Sequence, residues 1–177
     1  MHNQLSQRLR LSLTVIVTLL IWAHISWDYF HGGVPIHYIL HSDDMPGIPN
    51  WWGGIVLPIF TYFLLYRIAL RLNKPNNIDS LKLVGLRFMA GLVFAISISV
   101  TFLNGIEVTD YIMGLIFILS LIFPLHKSEF FLGWVLGASF AFGAIIPIGF
   151  GGILCLVFFI IYKLVNGLKR VLLPKEK

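Results

Sequence analysis

Six apolar runs joined by short links dominate this chain, near residues 11–30, 51–70, 83–103, 110–125, 130–148 and 150–166. A helix needs roughly 20 mostly apolar residues to cross a bilayer core of about 30 Å. Within that core every backbone N–H and C=O must find an internal partner, which leaves helices as the form such runs take. The expected fold is therefore all-α: a polytopic integral membrane protein of about six transmembrane helices, forming a single domain over residues 1–177. Composition agrees, because 58% of the residues are hydrophobic and only 12% are charged. A soluble domain carries about 25% charged residues. A water-facing shell cannot be built from so few.

The basic residues sort by link. Arg8 and Arg10 precede the first run; Arg67, Arg71, Lys74, Lys82 and Arg87 surround the second link; Lys127 lies in the fourth; Lys163, Lys169, Arg170, Lys175 and Lys177 close the chain. These are all 13 Lys and Arg residues, and with six spans they fall on one side. Basic links mark the cytoplasmic side, which predicts an N-in/C-in topology in a cytoplasmic membrane of bacterial type. The net charge of +5 is absorbed as a topology signal, so no nucleic-acid partner is expected. The basic tail at 167–177 anchors the last helix or attracts anionic lipid. Arg8 and Arg10 before the apolar stretch 11–21 have the order of a signal peptide. No small-x-small cleavage site follows, so the segment is expected as a retained first helix. The single cysteine, Cys155, allows no internal disulfide.

The opposite side concentrates the chemistry. Residues 23–54 hold His24, His31, His37 and His41, with Asp28, Asp43 and Asp44; the next outer link adds Asn104, Glu107 and Asp110. No Lys or Arg balances them, which suits a bound cation. In a helix, His24, Asp28 and His31 at i, i+4 and i+7 share an arc of roughly 60°. An imidazole below the helix end needs a partner, and ionisable groups at such depth often mark function. Gly32-Gly33 ends the helix. Pro35–His41 is then expected as a short re-entrant or interfacial helix between spans one and two, with His37 and His41 at i and i+4. The outer loop at 31–50 would fold the second histidine pair over the first.

These residues predict a divalent metal centre, zinc or iron, with ligands drawn from His24, Asp28, His31, His37 and His41. The activity expected of it is a membrane-embedded hydrolase acting on a lipid or lipid-linked substrate at the outer face, with Asp43, Asp44 or Glu107 as general base. Two other classes stay open: a non-catalytic metal-binding, transport or sensing protein, and a structural subunit of a membrane complex. Asp43 and Asp44 also read as turn residues before Pro46-Gly47, and Asp110 and Asn50 as N-caps of spans four and two. Trp27, Tyr29, Tyr38, Trp51 and Trp52 fit an aromatic belt. Ser97, Ser99 and Thr101 either bond to nearby carbonyls or line a polar cavity. Arg87 is expected to snorkel, and Pro58 and Pro147 to kink or end their helices. Gly133 and Gly137, at G-x-x-x-G spacing, predict close helix packing within the chain, with oligomerisation through that face as the alternative.

Overall fold

The computed structural model describes residues 5–38, 44–74, 77–106 and 109–172, with the side chains of Thr109 and Asp110 outside that description. Among the described residues the chain is helical apart from one small hairpin. The elements are α1 (Gln7–Phe30), β1 (Ile36–Tyr38), β2 (Gly47–Pro49), a 3-10 turn (Asn50–Trp52), α2 (Gly53–Leu72), α3 (Leu81–Leu103), α4 (Thr109–Ser120), α5 (Ser128–Phe142) and α6 (Ile145–Leu172).

Local chemistry sets most of the helix ends. Ser6 accepts a hydrogen bond from Leu9 N and Ser80 one from Leu83 N, each at 3.2 Å, so both hydroxyls cap a helix start. Gly143, with φ +68°, separates α5 from α6 in a conformation that a Cβ would disfavour. The break expected near Gly149 therefore falls earlier, and Pro147 lies in the first turn of α6, where its missing N–H costs nothing. Helix α2 runs through Pro58 without ending.

Among the described residues, four helices are long and apolar enough to cross a membrane: Gln7–Phe30, Asn50–Leu72 with its 3-10 entry, Leu81–Leu103 and Ile145–Leu172. The fourth and fifth apolar runs form shorter helices. At 1.5 Å per residue, the 12 residues of α4 span about 18 Å and the 15 of α5 about 22 Å. Both are shorter than the roughly 30 Å hydrocarbon core. Pro124 and the turns at 121–127 stop α4 at Ser120, short of the expected residue 125.

Packing is dominated by the parallel pair α3–α5, with α1 against α2 and α6 against α5. Small residues permit the closest approach. A Cβ at Gly133 would lie 2.2 Å from Phe88 O, one at Gly91 2.4 Å from Phe130 O, and one at Gly137 2.7 Å from the Ala95 Cβ. The Gly133/Gly137 face is thus filled by α3 of the same chain. Two apolar clusters form the core: Leu64, Leu65, Ile68 and Leu132 with their neighbours, and Ile21, Ile25, Leu57, Val135 and Ala144. The outer surface stays apolar: Leu19 and Leu20 on α1, Phe140 on α5 and Leu164 on α6 are each more than 60% exposed.

The short helix expected at Pro35–His41 is not formed over its described part. Ile36–Tyr38 is extended and pairs antiparallel with Gly47–Pro49, in the register Ile36↔Pro49, His37↔Ile48, Tyr38↔Gly47. Gly32 (φ 123°) and Gly33 (φ 101°) turn the chain out of α1 in conformations closed to other residues. A β-branched and an aromatic residue then supply the outward positions of the strand, and Pro49 sits at the far end of its partner.

Candidate functional site

The end of the bundle away from the basic loops brings four elements to one point. His24 and Asp28, one turn apart on α1, place Nε2 and Oδ2 3.7 Å apart. Asn50, in the 3-10 turn before α2, donates from Nδ2 to the same Asp28 oxygen at 3.4 Å. It is not an N-cap of span two; its side chain reaches across to α1, and Trp52 occupies the cap position without a side-chain bond. His37, on β1, lies against the α5–α6 junction. A Cβ built on Gly143 would be 3.2 Å from Asn50 Oδ1 and 3.3 Å from His37 Nε2, so these two atoms face one small space. Asn50 is only 3% exposed, and its Oδ1 has no hydrogen-bond partner among the described residues. Buried acceptors are normally satisfied. The His24 ring packs on Phe140 at 5.1 Å between centroids.

The sequence-predicted residues divide accordingly. His37 borders this space with Asn50, whereas Asp28 reaches Asn50 from the α1 side and His24 reaches Asp28. His31 stands apart: its Nδ1 donates to the Trp27 carbonyl at 2.9 Å and its ring stacks on the Trp27 indole at 3.8 Å, on the exposed side of the helix end. Asp44 is exposed at the hairpin. His41, Asp43 and Glu107 lie outside the described residues. Among the described residues, no group of three or more His, Cys, Asp or Glu side chains comes close enough to hold a metal ion. Ser97 and Thr101 bond back to carbonyls of their own helix, and Ser99 to Gly137 O at 3.4 Å.

A second polar centre lies at the basic end. Glu129, in the first turn of α5, is fully buried and accepts from Arg71 Nη2 at 2.7 Å and Arg87 Nη1 at 3.2 Å. Asp79, in the α2–α3 link and 5% exposed, accepts from Arg87 Nη1 at 2.8 Å and Lys127 Nζ at 2.8 Å, with Arg71 Nε at 3.3 Å. Arg87 does not snorkel outward; it turns inward and bridges both carboxylates. It lies about 9 Å into α3, where it meets Glu129 in the first turn of α5. Burial works against ionising Asp79, but hydrogen bonds from Lys127 and Arg87 outweigh it and hold the carboxyl below its ordinary range. His126 beside the cluster is pushed the other way from a usual switch: burial and then the Lys127 and Arg71 charges lower its pKa and favour the neutral ring. The sequence signal for this centre was present. Asp79 and Glu129 are the only acids in links otherwise carrying basic residues, but topology alone accounted for those links.

No family model, characterised protein or solved structure matches this chain.

Proposed function

We propose that the chain is a six-span membrane protein with both ends on the cytoplasmic side, and that its functional centre is the polar space between α1, the hairpin and the α5–α6 junction. The centre is proposed to bind a divalent cation and to act on a lipid or lipid-linked substrate at the outer face. One observation carries the reading: the buried Asn50 Oδ1 lacks a donor and shares its space with an imidazole, next to a His24–Asp28 pair. Two ligands each about 2.0–2.2 Å from one ion can stand as far apart as His24 Nε2 and Asp28 Oδ2, at 3.7 Å, and His37 is proposed as a third ligand drawn in when the ion binds. A divalent ion held there supplies an activated water near neutral pH. Asn50 orients Asp28. His31 is left out of the ligand set, and Asp44, Asp43 and Glu107 remain the candidate bases.

A non-catalytic reading has one observation of its own. Only His24 and Asp28 are in direct reach of each other, which a proton-responsive pair also explains. Metal analysis of the detergent-purified chain separates the two. Stoichiometric metal in the wild type, lost in His24→Ala and His37→Ala and kept in His31→Ala, supports the metal site. A wild type without metal under mild purification sinks it and leaves the proton-responsive pair.

A further inference from the structure

A sizeable cavity lies among α3, α4, α5 and α6, away from this centre. It has about 540 Å³ of interior space, within the roughly 300–1,000 Å³ of small-molecule sites. Leu86, Phe94, Phe123, Trp134, Cys155 and Phe158 line it, and its single charged wall residue is Arg87. The side formed by α4 is loosely closed, because α4 touches α3 and α6 only sparsely. Apolar residues flank that side: Ile118 on α4 and Leu156 on α6 are each 61% exposed.

Charge decides what such a cavity takes. Arg87 belongs to the cluster in which Arg71, Arg87 and Lys127 face Asp79 and Glu129. Three cations against two carboxylates leave one positive charge uncompensated at the polar end of an otherwise apolar cavity. Guanidinium groups suit phosphate through paired N–H donors. We propose that the cavity binds one chain of an anionic phospholipid, entering between α4 and α6, with the phosphate against Arg87. The occupied cavity completes the packing of α4 onto the α3–α5 pair. This inference rests on the membrane reading and not on the metal-ion reading of the opposite end.

Cys155 provides the readout, since it is the only cysteine and lines the cavity. The full chain is placed in lipid discs of phosphatidylglycerol or phosphatidylcholine, and alkylation of Cys155 by N-ethylmaleimide is timed. Bound lipid is counted by native mass spectrometry. Phosphatidylglycerol is expected to slow alkylation about tenfold relative to phosphatidylcholine, a preference in the range of ordinary selective binding. One phosphatidylglycerol should persist on the released protein. Leu119→Trp, which fills the cavity and leaves the charges intact, should abolish that retained lipid. Arg87→Gln should equalise the two lipids. Equal alkylation rates in the wild type, or equal retention of both lipids, overturn the proposal without any variant having to fold. A chain that purifies without detergent would instead overturn the membrane reading beneath it.

Discussion

Glu129 is a carboxylate buried among guanidinium groups, so its loss leaves charge without a partner. It has no exposure and accepts from both Arg71 and Arg87. Replacing a whole buried ion group by apolar side chains is often harmless, but removing one partner strands the others, at about 3–5 kcal/mol. Glu129→Ala is therefore expected to lower the thermal unfolding midpoint in detergent sharply, and Glu129→Gln less, because the amide still accepts. An unchanged midpoint for Glu129→Ala would show that water already satisfies both guanidinium groups. At the other end, helical spacing placed His24, Asp28 and His31 on one arc, but residues near the edge of an arc choose their partners locally. His31 takes the Trp27 carbonyl and indole, one turn back, whereas His24 and Asp28 find each other and Asn50.

At the scale of elements, α3 and α5 depend on absent side chains. Gly133→Ala would set a Cβ 2.2 Å from Phe88 O, and backbone cannot give way as a flexible side chain does. Overpacking of this kind costs about 1–3 kcal/mol. Gly114→Ala, on α4 with nothing within 4 Å of the added carbon, should be neutral or slightly stabilising. Unfolding midpoints of the two variants, measured side by side, test this. Equal midpoints would place the close α3–α5 contact in doubt. Hairpin β1–β2 shows where sequence periodicity loses. His37 and His41 at i and i+4 fit a helix, but the Gly32-Gly33 turn and the pairing of Ile36–Tyr38 with Gly47–Pro49 satisfy the backbone first. Extended geometry then turns His37 towards Gly143 and Asn50, a contact no helical wheel contains.

For the whole molecule, the proposed topology puts the hairpin and the charge cluster on opposite sides of one membrane. Single cysteines at Asp44 and Lys74, introduced in a Cys155→Ser background, are expected to react with a membrane-impermeant maleimide from outside and from inside, respectively. Labelling of both from the same side would mean that α2, which lies between them, does not cross; the short helices α4 and α5 lie beyond this pair. Those two helices are where sequence and structure diverge most. Their apolar runs looked like full spans, yet the turns at 121–127 stop α4 at Ser120 and Gly143 stops α5 at Phe142. Hydropathy reports what a segment tolerates as solvent and not how far its helix extends.

The amino-acid order by itself determined the apolar helices and the close packing that small residues on α5 permit, because each follows from local composition or spacing. Tertiary structure alone decided that Asn50 joins Asp28 of the His24–Asp28 pair and faces His37 beside Gly143, without His31, and that Arg71, Arg87 and Lys127 surround Asp79 and Glu129. Both groupings join residues distant along the chain. Such meetings depend on how helices cross and where each one stops, and those are set by close packing across elements and not by any single segment.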